Sequence, residues 1–160
     1  MIHVVTRTMP TVGTLIAVCA SAGGIPKQPL NSARVTAAGL VGDGHAHAKH
    51  IRPDRAVSLF DIEILDQLRM EGFPLFPGAI GENLTVQGLH VQRLQPGGVL
   101  RIGDVRLKLE LPRKPCYVLD YISPCLQDVI VGRCGYLASV MTGGLIEPGM
   151  QIQILDDSRS

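Results

Sequence analysis

The sequence is short of aromatic residues: it has no Trp, three Phe and three Tyr in 160 residues. Whatever core it builds must therefore be aliphatic. It is also short of net charge. Fifteen Lys and Arg against fourteen Asp and Glu leave +1 with His neutral, which gives no support to non-specific nucleic-acid binding. No apolar run approaches the roughly 20 residues of a membrane-spanning helix. The stretch "VGTLIAVCASAGG" has the look of a signal core, but its only charged flank is Arg7, and Gly13 and Thr14 break it. It reads better as a buried strand. Cys19, Cys116, Cys125 and Cys134 are too few for a disulfide scaffold, contain no C-x-x-C pair, and follow no usual zinc spacing. They read as reduced thiols in a cytoplasmic protein.

What is present in quantity is Gly, at 18 residues, and Pro, at 11, which predicts many short elements joined by turns. One domain spanning 1–160 is expected, with its core at about 13–155; a chain of this size buries roughly two-thirds of its unfolded surface without cross-links. Strands are expected over Val12 to Ser21, near Arg34 to Ala37, and in "RAVSLF". The clearest is "VRLKLEL", where Val105, Leu107, Leu109 and Leu111 alternate with Arg106, Lys108 and Glu110, the pattern of a half-buried strand. "VLRI" pairs with it through Gly103-Asp104 as a hairpin. "YLASVMTGGLIEPGMQIQIL" reads as two strands around Gly143-Gly144, with a turn at Pro148-Gly149. Two helices stand out. "DIEILDQLRMEG" has Asp61 as a cap, Ile62, Leu65 and Leu68 on one face and Gly72 as a stop; "SPCLQDVIVG" has Ser123 as a cap and Pro124 at the first position. Short strands with few helices give a mainly β fold, a β-barrel with a few short flanking helices.

The chemistry concentrates around "LPRKPCYVLD", where a thiol, Cys116, follows Arg113, Lys114 and Pro115. A free thiol is mostly protonated at neutral pH, and cations beside it favour the thiolate. Without them Cys116 would be an ordinary small apolar residue. Lys27 in "GIPK", the loop "GLVGDGHAHAKH" with Asp43, His45, His47 and His50, Arg55 beyond it, and Glu82-Asn83 in "GENL" are weaker candidates. A surface lysine, turn-forming acids and loop histidines are the plain alternatives. His45 and His47 have no obvious third metal ligand. Arg133 fits a helix C-terminal cation.

In order, "GGIPK", "GLVGDGHAHAKH…RAVSL", "PGAIGENLTVQGL", "LRIGDVRLKL…PRKPCYVL" and "VGRCGYLASVMTGGLIEPG" resemble the MOSC domain family, named for the C-terminal domain of molybdenum cofactor sulfurases. The resemblance is to small stand-alone bacterial members and covers about Gly13 to Leu155. It implies a MOSC-type β-barrel and association with the molybdenum cofactor, a phosphate-bearing pterin with an anionic metal-oxo centre. It implies that Cys116 is the catalytic residue, carrying sulfur as a persulfide in a sulfurtransferase-like domain; alternatively Cys116 ligates molybdenum in a redox component that reduces N-hydroxylated compounds, or the domain is a passive cofactor-binding module. Lys27, His50, Arg55, Glu82, Asn83, Arg113 and Lys114 are the cofactor-binding candidates. The implied partner is a cysteine desulfurase as sulfur donor, since no pyridoxal-phosphate domain is in this chain, or else an electron-donating reductase. Two places depart from the family: Ile51-Arg52, where many relatives have two glycines, and Gly149-Met150, where Gly-Asp is usual.

Overall fold

In a computed structural model, residues 11–44 and 53–156 are described. The chain runs β1 (Val12–Ala20), β2 (Gln28–Pro29), β3 (Ala33–Thr36), β4 (Gly39–Leu40), β5 (Val57–Asp61), α1 (Ile62–Met70), β6 (Leu84–Gln87), β7 (Val99–Ile102), β8 (Val105–Pro112), α2 (Leu126–Val129), β9 (Tyr136–Thr142), β10 (Gly144–Ile146) and β11 (Gln151–Asp156). Among the described residues, short 3-10 turns at Pro53–Arg55, Val91–Arg93 and Tyr117–Tyr121 sit between them.

The main sheet has the order β11-β7-β8-β9-β5-β6-β1-β2, and β11 also pairs with β1. That last pairing, Val12 with Gln153 and Thr14 with Gln151, closes seven strands into a barrel, leaving no open edge among them. β5 and β6 run parallel, and the other barrel pairings are antiparallel. β10, β3 and β4 form a separate small sheet.

The period of two explains where the side chains go. In β8, Val105, Leu107 and Leu109 are buried while Arg106 and Lys108 are exposed. β5 is buried on both faces. Val57 and Leu59 join the aliphatic core of the barrel, with Leu15, Leu84, Val86, Leu100, Ile102 and Ile152. Phe60 points the other way, into a second core with Leu65 and Leu68 of α1, Ile80, Leu119, Leu126, Ile130 and Cys134. The two helices thus plaster one outer face of the barrel, and the 3-10 turn after Cys116 is pinned to it by Leu119.

Several expectations need correction. Asp61 stands at the first boundary of α1 but makes no side-chain cap. Its carboxylate accepts instead from the backbone amides of Val91 and Gln92, at 2.8 and 3.1 Å, because at 1% exposure it must satisfy buried donors brought from another segment. The second helix begins at Leu126, not at Pro124: Cys125 takes a left-handed conformation, φ 68°, just before it. The C-terminal stretch makes three strands rather than two, since Gly144–Ile146 leaves the barrel to pair with β3.

Candidate functional site

Between β8 and β9 the ladder is irregular. Leu109 pairs with Ala138 but Leu111 pairs with Leu137, so Glu110 is an extra residue on β8. A bulge of this kind breaks strict alternation. Leu109 and Ala138 face the barrel core, whereas Leu111 and Leu137 are half-buried and form the floor of a cavity on the outer surface. The alternation of "VRLKLEL" places Leu111 in the core; the bulge is what moves it out, and no composition signal marks it.

Arg55, at the end of the 3-10 turn before β5, and Arg113 and Lys114, just past β8, complete this cavity of about 360 Å³. Residues 58 apart or more in sequence are brought together because β5 and β8 flank β9. Among the described residues, ion pairs hold Lys27 and Arg133, not these three cations. Arg113 is fixed by its own backbone amide, which donates to Gly135 O (2.9 Å), and by Nη2, which donates to Ile80 O (2.6 Å). Its Nη1 is buried without a partner. Gly81 lets the guanidinium lie this close: a Cβ there would come within 3.4 Å of Nη2 and 2.8 Å of Ile25, and its φ of +91° suits glycine alone.

Cys116 is exposed, directly after this pocket's wall, and its carbonyl accepts from Leu119 N at 3.0 Å to start the Tyr117–Tyr121 turn. It does not itself line the cavity. All four cysteines are free. Cys134 is buried beneath, and its thiol is pushed up chiefly by burial, with Arg113 pulling down and Glu82 and Cys116 pushing up. Cys125 is exposed at the start of α2.

The other candidates separate from this cluster. Lys27 Nζ pairs with Asp43 at 2.6 Å, nearly buried, and is not in the cavity. Asn83 is a structural knot: its Oδ1 accepts from Ser58 N (3.0 Å) and Oγ (3.3 Å), while Nδ2 donates to Cys19 O (3.1 Å) and Asp43 Oδ2 (2.9 Å). Glu82 is fully buried, and Thr85 Oγ1 donates to its Oε2 at 3.4 Å while Oε1 has no partner. Burial pushes Glu82 up to about 7, against the pull of its own backbone amide, Arg113, the Gly78 amide and Thr85. Arg133 does act at a helix end: Nε donates to Val129 O (3.2 Å), and Nη1 and Nη2 clamp Glu71 at 2.7 Å each. His45, His47 and His50 lie outside the described residues. Among the described residues no group of three or more His, Cys, Asp or Glu is arranged to hold a metal, and no helix is long and apolar enough to cross a membrane. Leu111 and Leu137, which line the cavity, carry no signal in the sequence that marks them.

A family model described as MOSC domain matches residues 46–153. The chain belongs to the MOSC domain family. This MOSC domain is 32% identical to the uncharacterized protein YflK of Bacillus subtilis over 82% of its own length and 63% of that protein. It is 32% identical to protein YiiM of Escherichia coli over 76% of its length and 58% of that protein, so it spans about 60% of these relatives. A "Reductase" from Gibberella moniliformis is 30% identical over 76% of this domain but only 23% of that longer chain. Among solved structures, the YUAD protein of Bacillus subtilis superposes with a TM-score of 0.78 at 18% identity, covering 91% of this chain and 97% of that one. YiiM from Escherichia coli gives 0.70 at 24% identity, covering 96% and 73%. At those identities the likeness establishes the barrel fold.

Proposed function

We propose that this MOSC domain binds the molybdenum cofactor and serves as a redox component, with Cys116 as thiolate ligand to the metal. The observation that carries the reading is the convergence of Arg55, Arg113 and Lys114 on one cavity beside an exposed cysteine. The donor set fits the group. No carboxylate is among the described residues lining that cavity, Arg113 and Lys114 carry no ion pair among the described residues, and a thiolate is a soft metal ligand. A guanidinium grips a phosphate or oxo edge through two N–H groups, and Lys114 adds a mobile point charge. When bound, the cofactor would supply a two-electron centre, suited to reducing an N-hydroxylated compound to its amine and water with two protons. Arg55, Arg113 and Lys114 would hold its anionic groups; Leu111 and Leu137 would exclude water from one side. Electrons would come from a separate reductase, and a relative named "Reductase" that carries this module as about a quarter of its length supports that arrangement. Four free thiols support a reducing, cytoplasmic setting.

A second reading, a persulfide carrier loaded by a cysteine desulfurase, is favoured by one observation: the approach to Cys116 is open, with Tyr117 and Tyr121 at 66% and 85% exposure on the turn it starts. One experiment separates the two. The domain is purified from a cofactor-sufficient host, and molybdenum is measured by mass spectrometry in wild type and Cys116→Ser. The redox reading expects near-stoichiometric metal that falls at least about tenfold in the variant. Intact mass after incubation with a desulfurase and cysteine would instead gain one sulfur, dependent on Cys116, if the carrier reading holds. Metal retained in full by Cys116→Ser would sink the thiolate-ligand assignment.

A further inference from the structure

Glu82 belongs to no part of the cavity surface, yet Arg113 acts on this buried carboxyl electrostatically, favouring its ionised form. The Arg113 guanidinium rests on the backbone of Ile80 and Gly81, the two residues that lead into Glu82. Each side chain keeps one buried atom unpartnered, Nη1 on Arg113 and Oε1 on Glu82. They are therefore not locked in a two-pronged ion pair such as the one between Arg133 and Glu71. A guanidinium held through Nη2 alone, with a carboxyl near enough to act on it, has a charge that can be shared between that acid and a ligand.

We propose that Glu82 is a positioning residue for the oxyanion pocket: acting through Arg113, it sets how much positive charge the pocket offers to an anion. The inference rests on reading the Arg55–Arg113–Lys114 cavity as an anion site. Its consequence is directional. With Glu82 ionised, Arg113 is partly neutralised from within and the pocket holds an oxyanion weakly. With Glu82 protonated, the full charge of Arg113 is offered to the pocket, which then holds the oxyanion tightly. Burial pushes Glu82 up to about 7, which puts the change near neutral pH.

Among the described residues, the groups that act on Glu82 from the packed elements are these. Thr85 on β6 donates to it. Cys19 on β1 is pushed up to about 11, first by burial and then by Glu82 itself, so it stays a neutral thiol. Cys134, before β9, is likewise raised by burial. Lys27 reaches Cys19 electrostatically but is held by Asp43. Among the described residues Arg113 is the remaining charge, and it is the one that lines the pocket.

Sulfate, which does not titrate in this range, is the probe. Its affinity for the cofactor-free full chain is measured by NMR titration at constant ionic strength between pH 6 and pH 8. Wild type should bind about tenfold more tightly at pH 6 than at pH 8. Glu82→Gln, equal in size and permanently neutral, should keep the tight affinity throughout, within about twofold. Arg113→Gln should bind weakly at both pH values, and it tests the same link if the Glu82 variant does not fold. A histidine titrating elsewhere would give the same pH dependence in wild type and in Glu82→Gln, and that result overturns the proposal while leaving the anion site intact. Absence of sulfate binding at any pH overturns the anion site and the proposal with it.

Discussion

The residue that departs furthest from ordinary behaviour is Glu82. A carboxyl with no solvent exposure and one unpartnered oxygen resists ionisation, and Arg113, two amides and Thr85 offset that only in part. The folded state therefore binds a proton more tightly than the unfolded chain does. With the folded value raised from 4.5 to about 7, the stabilisation is complete below the unfolded value and is lost as pH rises through the folded one. On this account stability should fall by roughly 2–4 kcal/mol between pH 4.5 and pH 7.5 from this group alone. Urea melts across that range should show the decline in wild type and a flatter profile in Glu82→Gln, which should be the more stable of the two at pH 8. Equal slopes would mean that Glu82 is not the group responsible. At this scale the sequence picks out Arg113, Lys114 and Cys116 as a thiol and cations after a strand-ending proline, and Arg55 as a loop cation; the fold brings the three cations to one cavity and leaves Cys116 just past it. It is not legible for Glu82 and Asn83. Nothing in the letters "GENL" distinguishes a ligand contact from a buried strut, since the difference is depth, which is set by β1, β5 and β6 closing over the loop.

Among the elements, Asn83 shows how the loop ahead of β6 is held. Its side chain joins Ser58 on β5, Cys19 on β1 and Asp43 in the segment that also anchors Lys27. Asn83→Ala leaves the Ser58 amide and the Cys19 carbonyl without partners in a buried setting, at a cost of about 3 kcal/mol. A fall in unfolding free energy of that size, with molybdenum content per folded molecule unchanged, would mark Asn83 as structural; metal lost from a fully folded variant would return it to the ligand shell. Element positions followed from periodicity wherever one face is buried, as in β7, β8 and α1. Periodicity failed at the ends. Asp61 has the chemistry of a helix cap but answers to amides from Val91 and Gln92, and Cys125 takes a left-handed turn that Ser123-Pro124 does not foretell. Both outcomes depend on contacts far away in sequence.

For the whole molecule, barrel closure could be inferred from many short strands and few helices, but the order of the strands could not. The parallel pairing of β5 with β6 and the departure of β10 to a second sheet follow from which faces must be covered, a question that local patterns do not pose. Closure also couples every strand to every other. β1 meets β11 through three residue pairs, so the ring is complete only if each ladder keeps its offset. Here the irregular β8–β9 ladder has a consequence of its own. Arg106 lies opposite Thr142 and Leu107 opposite Val140, while Leu109 lies opposite Ala138 and Leu111 opposite Leu137. One strand thus holds Met141 in excess and the other Glu110, and the two shifts cancel. The pair amounts to slack in the hoop, beside single offsets where β1 meets β6 and β11 meets β7. Deleting Glu110 should leave every partner in place and give a soluble protein with a cooperative melt, whereas deleting Ser58 from the unbroken β5 should turn that strand inside out and abolish folding. A bacterial expression and thermal-melt comparison of the two deletions reads the difference directly: a barrel that tolerated the second as well as the first would not be held by its register at all.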